Sequence, residues 1–187
     1  MAMYSRCLVG LVAAIVAAGS YGAFAAGTGS DVPSASEMID ALTPGKSPGQ
    51  PITRGLRIIS NPKPGGDAGA NAPAIALNVQ FALNSAELTD EAKTVVRNLA
   101  TAINSDQLAG YRFEVQGHTD STGTPDANLY LSQRRAESVR DTLITEYHVA
   151  ASRLETVGKG QTEPLDSAHP EAPENRRVQI VNLGAQK

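Results

Sequence analysis

The clearest pattern of hydrophobic and polar positions begins at residue 75. From Ile75 to Phe81 apolar and polar side chains alternate, which is typical of a half-buried β-strand. A run with helical spacing follows from Leu88 to Ile103, and its start carries the cap and acidic first turn of Thr89-Asp90-Glu91. These segments predict a strand followed by an amphipathic helix.

The same two patterns recur further along the chain. Alternation returns between Tyr111 and Gly117, and the residues after it have the apolar spacing of a second helix: Ser132, Ala136, Val139, Leu143 and Tyr147. Shorter apolar runs at 154–158 and 178–183 predict two more strands. This order predicts an α/β sandwich (α+β), β-α-β-α-β-β, with two main helices on one face of a mixed four-stranded sheet.

The segment before this domain has a different composition. Residues 26–74 are rich in Gly and Pro, and the runs 44–51 and 61–71 cannot hold regular structure for long. We therefore expect a flexible segment with two ordered islands, a short helix at 36–42 and a short strand at 55–59. Either island could dock on the main domain or on a partner.

The first 25 residues have the three parts of a secretory signal peptide. Arg6 precedes an apolar run at 8–18, which leads to the cleavage site Ala23-Phe24-Ala25. The run is about eleven residues long, well short of the roughly 20 that a membrane-spanning helix needs. We expect cleavage after Ala25, with retention as an anchor as the alternative, and hence three regions: 1–25, 26–74 and a domain at 75–187.

Composition excludes several functions. A net charge of −3 leaves no basic surface for nucleic acid. Cys7, which precedes the apolar run, is the single cysteine, so neither a disulfide nor a Cys-based zinc site is expected. The three histidines lack metal-ligand spacing, and the stretch 158–162 lacks the phosphate-loop pattern. We expect no metal, no cofactor, no nucleotide and no enzymatic activity.

Two charged residues stand out in the domain. Asp120 follows a strand end, where α/β folds commonly place ligand groups, although a turn aspartate that bonds its own backbone is the alternative. Arg135 falls on the flank of the second helix's apolar stripe, whereas Arg134 falls on the opposite side. An arginine at that flank needs a partner or covers its own core. Together Asp120 and Arg135 suit a zwitterion, and they equally suit a simple salt bridge.

Four blocks of residues, in order, resemble the OmpA-like peptidoglycan-binding domain, which also occurs in peptidoglycan-associated lipoproteins and flagellar stator subunits. The resemblance spans about Ile75 to Leu183 and is carried by Asn84-Ser85-Ala86-Glu87-Leu88, Gly117-His118-Thr119-Asp120, Asn128 with Leu131-Ser132-Gln133-Arg134-Arg135-Ala136, and Asn175-Arg176-Arg177-Val178.

The resemblance implies a ligand, the meso-diaminopimelate of the peptidoglycan stem peptide. It assigns the free ammonium to Asp120 and the adjoining carboxylate to Arg135. It further implies that the pocket is lined or bordered by Asn128, Thr122, Arg176 and Asn84.

The expected function is therefore non-covalent binding of peptidoglycan, which tethers the protein to the wall in the periplasm and supports envelope integrity. Outer-membrane or other envelope proteins are expected as further partners, and the protein is expected to be peripheral to the outer membrane. The alternative is an envelope scaffold whose 26–74 segment recruits a partner while the domain only localises it.

Overall fold

The computed structural model describes residues 32–45, 56–61, 72–79, 81 and 85–186. The predicted signal peptide and Asn84 lie outside these residues. Within the described ranges, no helix combines the length and the apolar character needed to cross a membrane.

The described residues form three α-helices and one five-stranded sheet. The helices are α1 (Ala35–Leu42), α2 (Asp90–Ile103) and α3 (Pro125–Thr145), and two 3-10 turns lie at Ala151–Arg153 and Pro173–Asn175. The strands are β1 (Leu56–Asn61), β2 (Ala72–Leu77), β3 (Tyr111–His118), β4 (Leu154–Gly160) and β5 (Arg177–Ala185). The sheet order is β1-β2-β5-β3-β4, with β3 and β4 parallel and the other neighbours antiparallel.

This arrangement confirms the predicted α/β sandwich with a mixed sheet, and its strand count differs from the prediction. The fifth strand is β1, which comes from the predicted island at 55–59 and pairs with β2. The pairing covers an edge of β2 that would otherwise expose unpaired backbone groups, and it buries Leu56 in the core.

The first domain strand also ends earlier than its alternation predicts. Strand β2 stops at Leu77, and Phe81 makes an isolated bridge with Leu88 instead of extending the ladder. Alternation reports which side chains are covered, and Phe81 is half-buried outside the sheet ladder. It lies beside Leu88 and Arg135 of α3 instead of within the sheet.

Local sequence sets the starts of both main helices. The Thr89 side chain accepts from Ala92 N, as the capping sequence predicts, and Thr124 accepts from Ala127 N directly before Pro125. The apolar faces of α2 and α3 pack on one face of the sheet. The core joins Val96 and Leu99, Val139 and Leu143 to Ile75, Phe113, Val115, Val178 and Ile180.

The predicted island at 36–42 is helix α1, and it docks on this core. Met38 and Leu42 are fully buried. Asn182 donates from Nδ2 to Leu42 O at 2.9 Å, and Asn98 donates from Nδ2 to Pro33 O at 2.9 Å. The boundary at residue 75 stays a prediction, but these contacts favour a folded unit that includes α1.

Met38→Ala tests whether α1 belongs to the folded unit. Removal of a fully buried methionine side chain typically costs about 2–5 kcal/mol, so the free energy of unfolding in urea should fall by that amount. Arg97→Ala, on the exposed side of α2, should change it little. An unchanged free energy for Met38→Ala would place α1 outside the cooperative unit and support the boundary at 75.

Candidate functional site

Helix α3 lies in direct contact with the backbone of the two parallel strands. A Cβ atom on Gly117 would lie 2.0 Å from Ser132 O, and one on Gly158 would lie 2.6 Å from Gln133 N. The Ser132 hydroxyl accepts from Gly160 N at 2.9 Å. Only glycine permits this approach. The contact fixes how far α3 reaches over the ends of β3 and β4.

One turn along α3, this contact places Arg135 in a cleft. Its residue is 9% exposed, its Nε donates to Ser85 O at 3.2 Å, and its guanidinium carbon lies 4.8 Å from the centre of the Phe81 ring. Arg134 is exposed. The predicted difference between the two neighbouring arginines is confirmed. Arg135 also covers part of its own core, as the alternative interpretation supposed.

Two other arginines of the described chain are equally buried, and they use their donors differently. Arg153 donates to three backbone carbonyls, those of Tyr111, Ile103 and Leu108. Arg177 donates to backbone carbonyls of residues 163 and 175 and to a glutamine side chain. By contrast, Arg135 donates only from Nε within the described residues. Its two terminal amino groups have no hydrogen-bond partner among the described residues, and Arg135 lines the cleft.

Asp120 lies on the loop that follows β3, and both of its carboxylate oxygens accept hydrogen bonds. Thr122 N donates to Oδ1 at 3.0 Å, and Arg176 Nη1 donates to Oδ2 at 2.7 Å. Burial alone would raise the pKa of this carboxyl, but the bonds from Arg176 and Thr122 hold the pKa below its ordinary value. Asp120 is therefore a carboxylate at neutral pH, and its ion-pair partner is Arg176 rather than Arg135.

Asn128 organises the same loop from the first turn of α3. Its Nδ2 donates to Asp120 O, to Thr122 O and to Gln161 Oε1, at 3.2, 3.1 and 2.7 Å. Since these bonds use its amide donors, Asn128 acts on the site by holding the Asp120 loop in place.

A cleft of about 400 Å³ opens beside these groups. It is lined by Asn78, Val79, Phe81, His118, Arg135, Pro173, Glu174, Arg176 and Arg177. The structure thus brings together five of the six predicted site residues: Arg135 and Arg176 line the cleft, Asp120 and Thr122 lie on the adjoining loop, and Asn128 holds that loop from the first turn of α3. Asn84 lies outside the described residues.

Sequence reasoning missed part of this lining. Phe81 was recognised as an apolar position but not as the surface on which Arg135 rests. Glu174 and Pro173 carry no signal that distinguishes them from other loop residues. Burial lowers the pKa of Arg135, and the positive charge of Arg176 lowers it further, while the negative charge of Asp120 raises it. The two arginines therefore repel each other, and Glu174 lines the cleft with them as its acidic side chain.

His118 lies at the end of β3 and lines the cleft. Its residue is 1% exposed, and neither ring nitrogen has a hydrogen-bond partner in the described structure. Burial, together with the charges of Arg177 and Lys159, lowers its pKa to about 3. His118 is consequently neutral at any pH near neutrality.

Comparison with known proteins adds a family to this geometry. The model of the OmpA family matches residues 80–178, more than half of the 187-residue chain. Outer membrane porin F of Pseudomonas aeruginosa is 37% identical over 112 residues, covering 59% of this chain and 31% of the porin. A peptidoglycan-associated lipoprotein of Mesorhizobium japonicum is 36% identical over 85 residues, covering 46% of this chain and 49% of the lipoprotein. The chain thus spans half or less of these curated relatives.

A solved structure is similar at the level of the fold and of the sequence. The cell wall anchor of the T6SS from Pseudomonas aeruginosa superposes with a TM-score of 0.50 at 30% identity, covering 64% of this chain and 87% of that chain.

The low pKa of His118 predicts a loss of stability in acid. The unfolded chain protonates this histidine near its ordinary pKa of 6.5, whereas the folded chain resists protonation down to about 3. The contribution of neutral His118 to the free energy of unfolding is complete above about pH 6.5. It is lost as the pH falls below that value, by up to about 1.4 kcal/mol per pH unit.

His118→Gln should therefore flatten the dependence of the unfolding free energy on pH between about pH 6 and about pH 4. The pKa of His169, which is exposed, is raised by its bond with Asp166, so His169→Gln should leave the acid loss in place. A parental slope in His118→Gln would show that this histidine is not held neutral by the fold.

Proposed function

Because the chain belongs to the OmpA family, we propose that it binds peptidoglycan non-covalently, through the diaminopimelate of the stem peptide, at the cleft between α3 and the segment 173–177. One relative is a peptidoglycan-associated lipoprotein, and one structural neighbour is a cell wall anchor. Their names support the same ligand for this chain. The role is binding and tethering in the envelope, not catalysis.

The observation that carries the proposal is the set of unused donors on Arg135. Arg135 as a residue is 9% exposed, so its guanidinium loses part of its hydration, which is costly unless another group replaces the water. Arg153 donates to three backbone carbonyls, and Arg177 donates to two, although its Nε has no partner in the described structure. For Arg135 a ligand carboxylate supplies that compensation, because the planar fork binds a carboxylate through two parallel hydrogen bonds.

Asp120 supplies the other half of a zwitterion site. Its carboxylate is ionised at neutral pH and lies beside the cleft, so it suits the ammonium that adjoins the carboxylate in diaminopimelate. Thr122 and Asn128 hold the Asp120 loop, and Arg176 joins it to the cleft wall. Asn84 completes the proposed set of six residues on the strength of the sequence motif alone.

The location follows from the ligand. Peptidoglycan lies in the periplasm, so the domain acts there, associated with the wall and peripheral to the outer membrane. Further envelope proteins are proposed as partners of the upstream segment. The docking of α1 and β1 on the domain leaves less of that segment available for a partner.

Substitutions at the two charged residues test the site. Loss of one partner from a partly buried, charge-assisted contact typically costs about 2–5 kcal/mol, so Asp120→Ala and Arg135→Ala should each weaken co-sedimentation with purified sacculi by about thirtyfold or more. Arg135→Lys should also bind poorly, because an ammonium cannot reproduce the planar fork.

Arg134→Ala is the matched control, since it removes the same charge from the exposed side of α3. It should bind sacculi like the parent. If Asp120→Ala and Arg135→Ala remain folded by circular dichroism and still sediment with sacculi like the parent, the site assignment is wrong.

A further inference from the structure

Arg176 occupies the position in which a ligand ammonium would meet Asp120. Its Nη1 lies 2.7 Å from Asp120 Oδ2, and the Asp120 side chain retains only 11% of its accessible surface. The other carboxylate oxygen already accepts from Thr122 N. An ammonium that enters the cleft must therefore compete with the Arg176 guanidinium for the same carboxylate.

The Arg176 side chain is held by this one ion pair. Half of its surface is exposed, and its guanidinium makes no other hydrogen bond within the part of the chain that the structure describes. The guanidinium end of the pair lies in solvent, but the Asp120 carboxylate is largely buried, so Arg176 leaves at small cost only when another cation takes its place. The glycine contacts that fix α3 and β3 do not involve Arg176, and they can stay in place when it moves.

We propose that ligand binding at this cleft is an exchange of ion pairs: the ligand ammonium replaces Arg176 at Asp120, and the released Arg176 joins Arg135 on the ligand carboxylate. This inference rests on the proposed function of the cleft and adds a specificity-determining role for Arg176. A ligand with an ammonium and a carboxylate on the same carbon satisfies all three charged residues.

A ligand with an ammonium alone is at a disadvantage in this exchange. It breaks the pair between Asp120 and Arg176 and brings no carboxylate for the two arginines, so that Glu174 is the one acidic side chain of the described cleft lining. The mutual repulsion of the two arginines is already present in the empty cleft, where the charge of Arg176 disfavours the protonated form of Arg135. Arg176 therefore selects diaminopimelate over lysine at the equivalent position of a stem peptide.

Two soluble probes separate these ligands. One is a stem tripeptide that ends in meso-diaminopimelate, and the other is the matched tripeptide that ends in lysine, which keeps the side-chain ammonium and lacks the adjoining carboxylate. Calorimetric titration of the full chain gives the affinity for each probe. The parent is expected to prefer the diaminopimelate tripeptide.

Arg176→Ala removes the internal competitor. Its affinity for the lysine tripeptide should rise about tenfold. In the parent, a ligand ammonium can bind only those molecules in which Arg176 has left Asp120, and the apparent affinity is reduced by that fraction. Its affinity for the diaminopimelate tripeptide should change by less than about threefold, because the lost carboxylate contact and the vacated Asp120 have opposite effects. Arg176→Gln should behave in the same way, and Arg134→Ala should match the parent with both probes.

The outcomes distinguish this inference from the proposed function. An affinity for the lysine tripeptide that does not rise in Arg176→Ala, or a fall for the diaminopimelate tripeptide alone, would overturn the exchange and make Arg176 a simple ligand contact. An equal rise in Arg134→Ala would reduce the effect to net charge and overturn it as well. A parent that binds neither probe would contradict the proposed function itself.

Discussion

The contact on which the site depends is the direct packing of α3 on the backbone of β3 and β4. Without side chains at Gly117 and Gly158, Ser132 and Gln133 approach the strands to distances that a Cβ atom would forbid. Arg135 lies one turn beyond Ser132, so the same contact sets its depth. A helix held further from the sheet would leave Arg135 in water, where a guanidinium needs no partner.

Unused terminal donors beside a cleft distinguish Arg135 from the other two buried arginines of the described chain. The described chain buries three arginines, and two of them are bonded to backbone carbonyls that hold loops and turns together. Arg135 instead rests on the Phe81 ring with one bond to Ser85 O. In the proposed function, the unused donors of Arg135 bind the ligand carboxylate. Asp120 differs, because Arg176 already pairs with it, and in the proposed exchange the ligand ammonium displaces that partner.

Much of this could be predicted from the sequence, since periodicity reports burial directly. It placed the main helices and strands, and the helical phase separated Arg135 from Arg134. The periodicity could not place the end of β2, because Phe81 is half-buried whether or not the strand pairing continues to it. Nor could it give the partner of Asp120. From the sequence, either Arg135 or Arg176 could pair with Asp120, and only the path of the segment 173–177 decides in favour of Arg176. The docking of α1 depends on Asn98 and Asn182, whose side chains bond backbone far away in sequence and leave no local pattern.

The central claim is that Arg135 is held for a ligand carboxylate. Nuclear magnetic resonance of the arginine side chains, recorded while the diaminopimelate tripeptide is added, observes that group directly. We expect the NMR signals of the terminal amino protons of Arg135 to shift, and these protons to become protected from exchange, as the tripeptide saturates the protein. The corresponding signals of Arg153 should stay constant. Saturable binding that leaves the Arg135 guanidinium unchanged would contradict it.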